Sequence, residues 1–303
     1  MLNPESKVDL SYAKLLWDEY SPEYSPEKWV FKQLQDGTLN SYFSSATVFY
    51  TKNTTLDEAK FLASERQATN IGMKRFSSGH IVSSGGYTKV QKNIGIYCET
   101  PVYVDDTYIK RVRVINVIAP ATDALLQPDY IRLSKCEKHL RQQLYETMLE
   151  DAFYITMACA IQQKVKFLVM TAIGQGAFAE GAWDLGIDPN LAYTNLARKY
   201  FGSKFNKATG TKVIFANCDF LPQDEFPCIK QWLNSMLTSY SKGGSNENVN
   251  IEDVLFVNAW DPWSVIGNGN KGDRSLDGFW GSYSAMSMIG HPKINLAMKY
   301  LQV

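Results

Sequence analysis

The sequence predicts an α/β fold. Continuous apolar strands alternate with helices from about residue 94 onward, and two of those strands run directly into glycine-rich loops. Apolar strands without polar alternation imply a sheet covered on both faces. In such folds ligands bind beyond the carboxyl ends of the strands.

The elements follow in order. IGIYCETPVYV (94–104) reads as a strand, and RVRVINVIAP (111–120) as a buried strand that Pro120 ends. A long helical stretch covers about Ser134–Gln163. KFLVMTAI (166–173) is another buried strand, closed by Gly174. A helix near Asn190–Phe201 precedes the strand KVIFANCDF, and a further helix is expected over about Asp224–Ser241. A Ser/Gly/Asn-rich stretch then leads into the strand DVLFVNAW, a glycine-rich loop, and a last helix from about Ser275 or Leu276. Residues 1–93 differ. They hold clustered aromatics (Trp17, Tyr20, Tyr24, Trp29), Ser-Pro turns and a helical stretch near Leu56–Arg75, so a mostly helical N-terminal extension is expected before a ligand-binding domain at 94–303.

Composition narrows the function classes. The 303 residues carry 31 basic and 31 acidic side chains, so no net charge argues for nucleic acid or an anionic membrane as the main partner. No apolar run reaches the roughly 18 residues that a membrane span needs. No N-terminal signal is visible, so a cytoplasmic location is expected, or delivery into a host cytosol if the protein is an effector. Five cysteines without a CxxC pair read as thiols in a reducing compartment. Three histidines without HExxH or HxH spacing give no zinc site.

Two loops carry the chemistry. In the first, a strand meets Gly174-Gln175-Gly176-Ala177-Phe178. Glycines there permit a sharp turn and close approach to backbone amides, which together suit an anion such as a diphosphate. Phe178 offers a ring to a ribose or nucleobase. Gly174, Gly176 and Ala179 also match a dinucleotide fingerprint, but Gly181, Gly186 and Pro189 interrupt the required helix. The next strand's acid, Asp219, lies about twice too far along for that motif. A purely structural tight turn is the other reading.

The second loop, Asn258 to Gly278, holds the acids Asp261, Asp273 and Asp277. Asn258, Asn268, Asn270, Gly267, Gly269, Gly272 and Gly278 accompany them. Carboxylates on such a loop suit water activation or the holding of a cationic leaving group. Competing readings are helix capping by Asp273 and Ser275, turn formation by the asparagines, and packing by Trp260, Trp263 and Trp280. NGNKGD lacks the acid pattern of a calcium loop.

These segments resemble a macrodomain. VINVIAP (114–120) is similar to that family's buried strand ending in proline, VMTAIGQGAF (169–178) to its diphosphate loop, and LFVNAWD with GNGN and DGFWG to its other ligand loop. In this chain the last of these comes last instead of first, so the order looks circularly permuted. The sequence departs from the family at Trp260-Asp261, where Ala-Asn is usual, and at Gly267-Asn268-Gly269-Asn270, where a glycine run is usual.

The resemblance implies a three-layer α/β/α sandwich with a mixed central sheet. It also implies hydrolysis of ADP-ribose from an arginine-modified protein, with neither cofactor nor obligatory metal. On that reading Gly174, Gln175, Gly176, Ala177 and Phe178 hold the diphosphate side of ADP-ribose. Asn258 and Asn270 fix the distal ribose hydroxyls, Gly267, Asn268 and Gly269 also bind ADP-ribose, and Asp261, Asp273 and Asp277 are catalytic. A reader that binds ADP-ribosylated partners without turnover, an enzyme on another ADP-ribose derivative, and a metal-assisted hydrolase are the alternatives. The oligomeric state is not legible.

Overall fold

A computed structural model describes residues 7–19, 28–73, 94–104, 107–123, 128–229, 250–260, 280 and 283–303. The chain is α/β, with an eight-stranded mixed sheet flanked by helices. The N-terminal part supplies α1 (Leu10–Glu19), α2 (Lys28–Gln35), α3 (Asn40–Phe43), β1 (Thr47–Tyr50) and α4 (Leu56–Met73). Then come β2 (Ile94–Val104), β3 (Thr107–Ile118), α5 (Pro128–Lys135), α6 (Arg141–Gln162) and β4 (Phe167–Met170). The chain continues through α7 (Glu180–Asp184), α8 (Pro189–Phe201), α9 (Ser203–Thr209), β5 (Lys212–Ala216) and β6 (Cys228–Ile229). It finishes with β7 (Val254–Trp260), α10 (Met286–Ile289) and β8 (Lys299–Gln302).

The strand order is β6-β5-β4-β7-β3-β2-β1-β8. β6, β5, β4, β7 and β3 are mutually parallel. β2 pairs antiparallel with both β3 and β1, and β8 pairs parallel with β1, so β2 alone runs against the rest.

Side-chain alternation explains why the sheet is covered on both sides. Val112 and Val114 of β3 and Phe256 of β7 join a buried cluster with Trp280, Met286 and Ile289. Ile115, Val117, Leu255 and Val257 point the other way, into a cluster with Phe153 and Ile155 of α6 and Tyr193 and Leu196 of α8. Burying one large apolar side chain of this kind contributes roughly 1.5–3 kcal/mol. The start of α8 is fixed locally: Asp188 caps Leu191 N–H at 3.0 Å and Pro189 follows at the first turn.

The expected strands at 94–104, 111–120, 166–173, 212–220 and 253–260 form, as do the helices near 56–75, 134–163 and 190–201. Three findings differ from expectation. In the N-terminal part, Thr47–Tyr50 form the sheet strand β1, and Val30, Leu34, Leu39 and Phe43 share a core cluster with β3. Cys228–Ile229, inside the helix expected over 224–241, instead extend the sheet beside β5, following the turn at Pro222–Phe226. The chain also returns to the sheet as β8. Residues 230–241 of that expected helix, and the start of the one expected from Ser275, lie outside the described residues.

Candidate functional site

β7 lies between β4 and β3 and is parallel to both. Val169 faces Phe256, and Ile118 faces Trp260. The segments leaving β3, β4 and β7 therefore start side by side on one rim. From β4 the chain proceeds toward β5 on one side. From β7 it proceeds to α10, which packs on β2, and to β8 at the opposite edge. Adjacent parallel strands whose outgoing connections diverge open a crevice at their carboxyl ends, where ligands of α/β sheets bind.

β4 stops short of β7, and the chain turns over α6 toward the end of β3. Gly174 makes that turn with φ +72°, a left-handed conformation that side chains disfavour. A Cβ there would sit 3.2 Å from both the Ala119 Cβ and the Tyr145 hydroxyl. The Tyr145 hydroxyl donates to the Gly174 carbonyl at 3.2 Å, and burial pushes its phenol pKa up, with Asp129 adding to the shift. Gln175 reaches sideways to the Pro189 carbonyl at 2.9 Å, tying the turn to the start of α8. Gln142 of α6 fixes the same corner by bonding both the Asp188 N–H and its carbonyl, at 2.8 and 2.9 Å.

Thr122, on the segment after β3, joins the two rims. Its hydroxyl donates to the Phe178 carbonyl at 2.6 Å and accepts from Ala182 N–H at 3.1 Å, while its own N–H donates to Phe178 at 2.8 Å. Gly181 permits this: a Cβ there would lie 1.8 Å from the Thr122 carbonyl oxygen. The turn is thus braced from α6, from α8 and from the β3 end. Its tip is open. Gly176 is exposed, and a Cβ on it would meet nothing within 4 Å. Among the described residues, the N–H groups of Gly176 and Phe178 donate to no protein acceptor. A braced turn with an exposed tip suits an anion.

The sequence-expected residues divide three ways. Gly174, Gln175, Gly176, Ala177 and Phe178 share the rim with the end of β7. Asn258 is also on β7, but its side chain is fully buried, and its Nδ2 donates to Asn116 Oδ1 at 2.9 Å. Asn258 lies on the same strand face as Phe256, and its amide links β7 to β3. Asp261, Asp273, Asp277, Gly267, Asn268, Gly269 and Asn270 lie outside the described residues.

Sequence reasoning missed Thr122, Tyr145, and Asp129, whose buried carboxylate accepts from Ala121 N–H at 2.9 Å and shapes the end of β3. The signal for Asp129 was the Pro128-Asp129 start of a helix just after the strand-ending Pro120. Nothing local marked Thr122 or Tyr145.

Among the described residues, no group of three or more His, Cys, Asp or Glu is arranged to hold a metal ion. None of their helices is long and apolar enough to cross a membrane. No protein-family model matches the chain, and no curated protein matches it significantly.

Proposed function

We propose that this chain binds ADP-ribose at the rim beyond β4 and β7 and hydrolyses its N-glycosidic bond to arginine on a modified protein. One observation carries the reading. The parallel pairing of β4 with β7 brings a braced glycine turn with an exposed tip to the same rim as the root of the acid-rich loop, where the outgoing connections diverge. The resemblance to a permuted macrodomain supports it. On this reading the sheet and its helices are the family's three-layer sandwich, and residues 94–303 carry the binding site.

The roles follow from the chemistry. Amides of Gly176, Ala177 and Phe178 receive the diphosphate, and the Phe178 ring borders a ribose or the adenine. One carboxylate of Asp261, Asp273 and Asp277 takes a proton from water as its oxygen bonds to the anomeric carbon. The bond to the arginine nitrogen breaks, that nitrogen takes up a proton, and a second carboxylate steadies the departing guanidinium. General acid-base assistance of this type is worth about 10²–10⁴-fold.

The test pairs calorimetry with free ADP-ribose and a release assay on arginine-ADP-ribosylated protein, using the wild type and Asp261→Asn, Asp273→Asn and Asp277→Asn. Binding with release that falls at least 100-fold in one variant, about the lower end of such assistance, supports the hydrolase. Binding without release by the wild type makes the protein a reader. Absence of binding overturns both.

A further inference from the structure

All five cysteines are reduced thiols. Two of them meet at the β5–β6 edge of the same carboxyl rim. Cys218 follows β5, just past Asn217, whose φ is +55°, and Cys228 opens β6. The Cys218 N–H donates to the Cys228 sulfur at 3.1 Å. One N–Cα bond of about 1.46 Å lies between that nitrogen and its Cα, so the Cys228 sulfur is within about 4.6 Å of the Cys218 Cα. Rotation about the Cα–Cβ bond of Cys218 sweeps its own sulfur into bonding range of a partner placed that close. In the reduced state the Cys218 sulfur points elsewhere. It lies 3.3 Å from the Ala216 carbonyl and 3.7 Å from the Tyr193 hydroxyl. That hydroxyl donates at 2.7 Å to the carbonyl of Thr171, the first residue after β4.

We propose that Cys218 and Cys228 form a reversible disulfide that reports the thiol–disulfide state of the surroundings to the glycine turn through Tyr193. Cys228 is the entry point. It is partly exposed; its sulfur accepts the Cys218 N–H at 3.1 Å and donates to Asp219 Oδ1 at 3.9 Å. The thiolate attacks one sulfur of a low-molecular-weight disulfide such as oxidised glutathione and expels one glutathione thiolate, which takes up a proton. Cys218 then loses its proton to solvent and attacks the Cys228 sulfur, expelling the second glutathione. In balance, two protein thiols and one glutathione disulfide give one protein disulfide and two glutathiones. Burial pushes the Cys218 thiol pKa up to about 12, so this second step is the slow one. Closing the bridge turns the Cys218 sulfur away from Tyr193. The hydroxyl loses one of its two contacts, and the Thr171 anchor loosens.

The proposal is tested on the full chain, incubated with oxidised glutathione, alkylated and digested for mass spectrometry. Expected is a Cys218–Cys228 cross-linked peptide lacking two hydrogens, preceded by a transient glutathione adduct on Cys228 and reversed by dithiothreitol. Amide hydrogen exchange at Thr171–Phe178 should quicken in the oxidised chain. Cys228→Ser should abolish both effects, and Cys136→Ser should preserve them. Alkylation of both thiols after prolonged oxidation, or a Cys228 adduct that never resolves, overturns the disulfide. A bridge with unchanged exchange at Thr171–Phe178 overturns the coupling. None of these readouts depends on ADP-ribose, so they stand apart from the proposed activity.

Discussion

Asn116 and Asn258 face each other across the β3–β7 pairing, and their side chains are joined by a 2.9 Å hydrogen bond in a fully covered part of the sheet. Asn116 passes the connection on, donating to the Ile96 carbonyl of β2 at 3.0 Å. Three neighbouring strands are thereby linked by one polar thread. A buried amide that loses its partner costs about 1–3 kcal/mol. Asn258→Ala and Asn116→Ala are each expected to lower stability by that amount, with a double mutant less damaging than the sum. Urea unfolding of the three variants measures it. Additive losses would show that the two amides act separately.

Gly174 and Gly176 stand two residues apart with opposite demands. Gly174→Ala places a Cβ at positive φ against Ala119 and Tyr145, so it is expected to destabilise the fold by roughly 1–2 kcal/mol. Gly176→Ala adds a methyl group in open space and should leave stability within about 0.5 kcal/mol. That methyl stands where a diphosphate would approach, so ADP-ribose affinity should fall. Thermal unfolding and calorimetry on both variants separate the structural glycine from the ligand-facing one.

His291 gives the fold an acid sensitivity. Its ring is fully buried, Nδ1 accepts from Lys293 N–H at 3.2 Å, and Nε2 has no hydrogen-bond partner among the described residues. Burial, with help from the Lys293 charge, lowers its pKa to about 3. An unfolded histidine titrates near 6.5, so on acidification the unfolded chain takes up a proton that the folded chain refuses. The stabilisation from a neutral ring is complete above that value and is lost progressively as pH falls from about 6.5 toward 3. The slope approaches about 1.4 kcal/mol per pH unit. His291→Gln should flatten the stability profile between about pH 6.5 and 5, as read by urea midpoints in that window. An unchanged slope would assign the acid sensitivity to other groups.

Much of the sheet's centre was legible because long apolar runs leave little choice. β2, β3 and β7 fall where continuous Val, Ile and Phe segments predict strands, and the glycine that closes β4 marks a turn. The edges were not legible. TVFY in β1, KYLQ in β8 and the two residues of β6 are too short to show a period, and they become strands only because a neighbour offers unpaired backbone groups. The pairing of Asn258 was hidden for a related reason. A polar residue at a strand end looks like a ligand contact until strand pairing sets Asn116 opposite it. The signal was present, since both asparagines interrupt otherwise apolar strands, but only their register makes them a pair. Thr122 lies far from Phe178 in sequence, and no local pattern reports such a bond.

The pairing of Thr47 with Lys299 carries a consequence for biosynthesis. β1 leaves the ribosome well before β8, the strand that covers its outer side. During translation that side presents open backbone donors and acceptors to any extended segment nearby. Chaperone occupancy of the nascent protein should therefore persist until β8 is released, and loss of β8 should send the product toward edge-to-edge aggregation.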